Sequence, residues 1–405
     1  MRRNMRQELK QSMEAISFSP QAKAAMVRRL SAQGKEQIMY KKKRSSRKFL
    51  VIALAAALAA ATLTGAAVFT RWSREAESRY SPSQQVKEQA EKSGLSVVLE
   101  DKAEQTQKPQ QDKSGEVLSV TDQGITVTAV QSLVDNVGGE ITFRIEGFDF
   151  PQDRYPEALP QPTVTVGGDE HFGSSRSGWF FDGTTRNEEG EWVYAETGEP
   201  VEFDETGTVI YKPVAKDGSL EYIFNFDFMD TSGAWLGKEI VVKFTGFGVQ
   251  SLGRAEEAGV METLVEGNWE LRWTLEGANL NTDGITVTPN AEIGDTGVVL
   301  MEAKIGQKSM ESVFQLETYW DGWKTLEPFL QAPAAIRMKD GTEIQCTTTK
   351  EDYRDFDDLI CRVTSYMYDG IVDLSQMESI KFLSGWEANE SGERTVPVYT
   401  YVPIS

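Results

Sequence analysis

The chain divides by the period of its apolar positions. Near the start, Met5, Leu9, Met13 and Ile16 recur at helical spacing within polar surroundings, which predicts one amphipathic helix. A second is predicted from Ser19-Pro20, an N-cap hydroxyl followed by proline at the first helical position, and puts Ala22, Met26 and Leu30 on one face. Phe49 to Thr70 then runs without a charge. About 20 helical residues cover the roughly 30 Å of a bilayer's hydrocarbon, so this stretch predicts a transmembrane helix over 49–70. Residues 71–114, dominated after Ser81 by Gln, Lys, Glu and Ser, read as a stalk, with Ser83 to Lys92 open to helix.

From about Glu116 the period becomes two. Ile125, Val127 and the run EYIFNFDF, with Tyr222, Phe224, Phe226 and Phe228 on one face, have the alternation of half-buried strands. Ile240 to Phe244 and Trp269, Leu271, Trp273 and Leu275 repeat it, with Gly, Asp and Asn turns between. The pentapeptide GITVT occurs at Gly124 and again at Gly284, each copy leading into another apolar run, ITFRIEG and VVLMEAKIG. The echo predicts a duplicated unit. The expected fold is therefore an all-β ectodomain of two antiparallel immunoglobulin-like sandwiches, 115–253 and 262–405. One transmembrane helix and a short two-helix segment, 1–48, precede it.

Charge sharpens this division. The formal net charge is -20, yet residues 1–48 hold 14 Lys and Arg against Glu8, Glu14 and Glu36, or +11, leaving -31 for the rest. Lys41 to Lys48 crowd the amino-terminal side of the apolar stretch, which predicts a cytoplasmic N-terminus, an extracellular C-terminus and a cell-membrane location. A cleaved leader is the competing reading of the same stretch. The acidic remainder argues against a nucleic-acid partner. Two helices as short as those before residue 48 bury little on each other. Leu9, Met13, Met26 and Leu30 are thus partner-binding candidates, with a protein or the anionic leaflet as the partner.

Candidate chemistry is sparse. His171, the single histidine, lies in the loop-like DEHFGSSRSG, and no Ser-His-Asp, Cys-His or G-x-S-x-G arrangement surrounds it. No catalytic, cofactor or metal ligand set is expected, and the chain is not read as an enzyme. Asn279 to Gly284 imitates the start of a calcium loop, but Asn290 stands where the bidentate Glu is required, so it reads as a turn. Cys346 and Cys361 flank the loop EDYRDFDD at a separation that suits a disulfide, with two buried thiols as the alternative. The aromatics Trp179, Phe180, Phe181, Trp192 and Tyr194 read mainly as core around a TTRNEEGE hairpin turn.

The helix SPQAKAAMVRRL, the Ala-rich stretch after KKKRSSRK, the polar stalk and the strand VTDQGITVT together resemble the single-pass membrane proteins of Gram-positive bacteria grouped as domain of unknown function 4179. The second sandwich resembles the immunoglobulin-like domain often found after it. The resemblance implies an anti-sigma-factor-like or envelope-sensing role and no catalytic residue. Residues 1–48 contain no His or Cys, so any sigma-factor contact is metal-free. Two functions follow as expectations. One is a membrane-anchored regulator whose cytoplasmic helices bind a sigma factor. The other is an envelope interaction or adhesion protein whose sandwiches bind an extracellular wall polymer or protein.

Overall fold

A computed structural model describes residues 72–404, apart from 101, 103–114, 152–153, 174, 188–190, 196, 204–208, 211–216, 252–259, 295, 316–334, 357–358 and 389–393. The described residues belong to one compact unit. The first half is built from β1 (Ser96–Val98), β2 (Ser119–Asp122), β3 (Ile125–Val134), β4 (Gly138–Glu146), β5 (Arg154–Ala158), β6 (Thr163–Val166), β7 (Arg176–Phe180), β8 (Thr184–Arg186), β9 (Trp192–Tyr194), β10 (Leu220–Asp227), β11 (Glu239–Ser251) and β12 (Met261–Thr274). One sheet runs β1-β3-β4-β10-β7 with β2 beside β3; a second runs β12-β11-β5 with β6 also on β11. Gln123 and Gly124, both at positive φ, make the tight turn that joins β2 to β3.

Alternation decides what the first sheet does with its faces. Ile141, Phe143 and Ile145 of β4 with Tyr222, Phe224 and Phe226 of β10 point inward and meet Phe244, Phe247, Trp269 and Leu271 of the second sheet. Edge-to-face rings fill the core, Phe143 on Phe244 at 5.2 Å and Phe247 on Trp269 at 4.9 Å. The opposite face carries Gln131 across from Thr142, Leu133 across from Glu140, and Glu221 across from Arg144.

The second half follows α3 (Leu280–Asp283) with β13 (Ile285–Val287), β14 (Ala291–Glu292), β15 (Val299–Ile305), β16 (Ser309–Gln315), β17 (Ala335–Met338), β18 (Glu343–Phe356), β19 (Leu359–Tyr368), β20 (Met377–Ala388) and β21 (Arg394–Pro403). All pair in one ladder, β13-β15-β16-β19-β18-β17-β20-β21, with β14 on β15. The long β18 turns the corner: Gln345 pairs with Ala335 of β17, and Cys346 to Phe356 pair along β19. The ladder thereby folds over its own core, and Phe314 of β16 meets Phe382 of β20 edge-on at 5.7 Å. Both halves are thus β-sandwich-like. The GITVT echo has two uses: its first copy opens the ten-residue β3, its second the three-residue edge strand β13.

The helices correct the expected architecture. Those described are short: α1 (Arg74–Tyr80), α2 (Gln84–Ser93) and α3. Among the described residues no helix is long and apolar enough to cross a membrane. The described fold is a β body with two short helices packed on it, and no transmembrane helix is among its described elements. The stretch 49–70 and the segment 1–48, with Leu9, Met13, Met26 and Leu30, lie outside the described residues. The first part of the predicted stalk is not a spacer either. Trp72, Ala76, Val86, Ala90 and Leu95 are buried with Leu133, Ala278 and Ile371, and β1 extends the first sheet. A spacer would have left these apolar side chains in water, whereas α1 and α2 cover the polar face of that sheet.

Candidate functional site

Under α1 lies a cluster of buried ionisable side chains drawn from three parts of the chain. Ser73 caps the helix by accepting from the Ala76 amide at 3.2 Å. The Glu221 carboxylate of β10 takes the next amides, those of Arg74 at 3.1 Å and Glu75 at 2.9 Å, and also accepts from the Arg74 guanidinium. A carboxylate on the amides of the first turn complements both the orphan donors and the helix dipole.

One turn on, Arg79 Nη1 stands 3.5 Å from Glu75 Oε1 and 3.6 Å from Glu140 Oε2. Tyr80 donates its hydroxyl to Glu140 Oε2 at 2.8 Å. Lys308, from the β15–β16 turn, donates to the Tyr80 oxygen at 2.7 Å and the Tyr368 carbonyl at 3.1 Å, and lies 4.1 Å above the Tyr80 ring. Next to it Ser309 donates to Asp135 Oδ2 at 2.6 Å, and Asp135 Oδ1 accepts from the amides of Val137 and Gly138. Glu75, Glu140, Lys308 and Asp135 are each at most 2% exposed. Among the described residues, Glu75 Oε2 and Glu140 Oε1 have no hydrogen-bond partner.

Burial, and then the neighbouring Glu140 carboxylate, raises Glu75 to about 8, against the opposing pull of Arg79 and Lys308. Burial also raises Asp135 to about 6, although its hydrogen bonds favour the ionised form. Lys308 is lowered by burial, with the surrounding carboxylates pulling the other way. The arrangement is an acid pair around one permanent cation, Arg79, with a second base whose charge burial disfavours. It can hold or release a proton. Among the described residues no three His, Cys, Asp or Glu side chains are grouped to hold a metal ion.

The sequence-predicted positions lie elsewhere. Cys346 and Cys361 are both buried and no disulfide joins them, which corrects the predicted bond. Cys346 faces Tyr368 and Cys361 faces Arg354, so the two sit seven ladder positions apart, roughly 23 Å at about 3.3 Å per residue. A disulfide needs Cα atoms within about 7 Å. His171 is exposed in the turn between β6 and β7. Phe180, Phe181 and Tyr194 are buried, Trp192 is half exposed, and β8 and β9 form the expected hairpin.

Sequence reasoning missed Glu75, Arg79, Tyr80, Glu140 and Lys308 altogether. The polar alternation of ITFRIEG and EYIFNFDF reaches none of the five, only their neighbours Thr142, Arg144 and Glu221, and any solvated sheet face shows it too.

No protein-family model and no curated protein matches the chain. Among solved structures, a conserved domain protein from Bacillus anthracis is similar at a TM-score of 0.37 and 10% identity, over 73% of this chain and 92% of that one. The CupB6 tip adhesin from Pseudomonas aeruginosa gives 0.14 and 8%, over 68% and 88%. At these scores neither likeness carries an argument.

Proposed function

We propose that the chain is a regulatory or sensing protein of anti-sigma-factor type. In this reading the β body lies outside the cell membrane and residues 1–48 engage a cytoplasmic sigma factor through Leu9, Met13, Met26 and Leu30. The observation that favours it is the seating of α1. The segment leading out of the amino-terminal residues is bonded to the first sheet through Glu140 and Glu221 and to the second half through Lys308. A change where the two β halves meet therefore acts on the chain at Ser73, one end of the connection to residues 1–71. The test is co-purification from cells of the full chain and of a Leu9→Ser, Met26→Ser, Leu30→Ser variant. A sigma factor held by the first and lost by the second is expected. Identical co-purifying proteins together with an unchanged transcriptome would sink the reading.

The competing reading, an envelope interaction protein, is favoured by Trp386, Tyr399 and Tyr401, each about 40% exposed on the outer face of β20 and β21. Lys381 and Arg337 lie against the two tyrosine rings, at 4.1 and 5.0 Å, so much of that aromatic surface already has an intramolecular partner. Binding of the full chain to purified cell wall, abolished by Trp386→Ala with Tyr399→Ala, would favour this reading over the first.

A further inference from the structure

A strap that is meant to stay down is normally fixed by apolar burial. Residues 72–93 have some of it, in Trp72, Ala76, Val86 and Ala90, but the carboxyl-terminal half of α1 sits on the acid pair. Every element packed there contributes a charged or titratable group. α1 supplies Arg74, Glu75, Arg79 and Tyr80; the β3–β4 turn supplies Asp135, β4 Glu140, β10 Glu221, the β15–β16 turn Lys308 and β19 Tyr368. From α2, Lys87 pairs with Glu77 at the rim. Glu221 is matched by Arg74 and two amides, and Asp135 by Ser309 and two amides.

In charge, Glu75, Glu140 and Asp135 face Arg79 and Lys308. Three carboxylates and two cations, shut away from water, are balanced when one proton stays on the cluster, and Glu75 and Glu140, which share Arg79, are the pair that holds it. The two partnerless oxygens, Glu75 Oε2 and Glu140 Oε1, mark where a second negative charge would have nothing to meet.

We propose that residues 72–93 form a proton-dependent strap, docked while the Glu75–Glu140 pair retains its proton and lifting from the β body when both carboxylates are ionised. On ionisation the proton passes to solvent and the docked state keeps an uncompensated buried charge. Lifting α1 returns Glu75 and Arg79 to water and opens Glu140 to it, which relieves that charge. The direction is release on alkalinisation, through the range around 8 set by Glu75. The inference supplies the event that the sensing reading leaves open, and rests on that reading only for the strap's biological role. Its test uses the purified chain without a partner, so its failure leaves the sigma-factor experiment unaffected.

The experiment is amide hydrogen exchange of the full chain, read by mass spectrometry between about pH 6 and about pH 9.5 and corrected for the intrinsic rate. Protection of 74–93 should fall at least about tenfold across this range while β4 and β10 keep theirs. Glu75→Gln, neutral at every pH, should hold the strap protected throughout. If that variant does not fold, Glu140→Gln is read instead: a single carboxylate then faces Arg79, its ionisation leaves no uncompensated charge, and the strap should likewise stay protected throughout. Unchanged protection of 74–93 in the parent chain would overturn the strap. So would simultaneous loss in β4 and β10, or a transition that neither variant alters.

Discussion

The Lys308 ammonium donates to the Tyr80 hydroxyl at 2.7 Å across 228 residues of sequence. The same hydroxyl donates onward to Glu140, so one phenol joins α1, the first sheet and the second half. Removing it takes one hydrogen-bond partner from each of two buried charged groups, Lys308 and Glu140.

The first prediction follows from that bridge. Tyr80→Phe keeps the ring and deletes the oxygen, and should cost about 1–3 kcal/mol of stability, the desolvation penalty of buried groups left unmatched. Adding Lys308→Met should cost less than the sum of the two single changes, because the second removes a group the first had already deprived of one partner. Urea midpoints of the four chains decide it. Strict additivity would show that the bridge is a coincidence of packing.

Global stability should also depend on pH with a definite sign. Glu75 and Asp135 both have folded values above the ordinary carboxylate range, about 8 and about 6, so the folded chain binds more protons than the unfolded one. Their contributions are full below the unfolded carboxylate values and are lost as pH rises, that of Asp135 through about 6 and that of Glu75 through about 8. Lys308, lowered by burial, acts in the other direction: its contribution is lost as pH falls through its folded value. Urea midpoints should therefore decline from about pH 6 to about pH 8.5, and Glu75→Gln should flatten the upper part of that decline. A midpoint that rises over this interval in the parent chain would contradict the assignment of Glu75 as the dominant group.

The cysteines give a third test. With seven ladder positions between them, Cys346 and Cys361 should each take one alkylating group after unfolding without reductant. In the native chain labelling should be slow, because both are buried and burial raises Cys346 above the usual thiol range. A non-reduced peptide containing both residues would show that the register is wrong.

Legibility in the sequence tracked hydrophobic patterning. The strands with clean alternation, Leu220–Asp227 and Met261–Thr274 among them, were evident because apolar side chains of period two leave few alternatives. The α2 helix was partly visible through Ser83 to Lys92, and its capping by Ser83 and Gly94 has a local cause. The α1 helix was not. REAESRY has one buried apolar residue, Ala76, and its partners Glu140, Glu221 and Lys308 are far along the chain, so polar composition read as solvation. The cysteines failed for a related reason: separation along the chain fits a loop bridge, whereas the register of β18 on β19 depends on the whole hairpin.

The last prediction concerns how the two β halves are held. Asp135, at the end of β3, uses Oδ1 to accept from the Val137 and Gly138 amides and Oδ2 to accept from Ser309 across the junction, and it is 1% exposed. Nearby, Asn136 accepts from the Leu280 amide and donates to the Thr231 carbonyl, while Thr231 donates to Glu311. The junction is thus mostly polar and depends on groups that cannot be hydrated in place. Ser309→Ala removes one donor and should cost about 1 kcal/mol. Asp135→Ala strands the Ser309 hydroxyl and two turn amides, and should cost about 3 kcal/mol or more. Asp135→Asn keeps one acceptor oxygen, serves the turn or Ser309 but not both, and should fall between. The same ranking should appear in cooperativity. The parent chain should unfold β4 and β16 at one urea midpoint, Ser309→Ala nearly so, and Asp135→Ala at two, as followed by pulsed exchange of peptides from each strand. Coincident midpoints in Asp135→Ala would show that the apolar contacts of Leu133, Ala278 and Ile371 suffice to couple the halves.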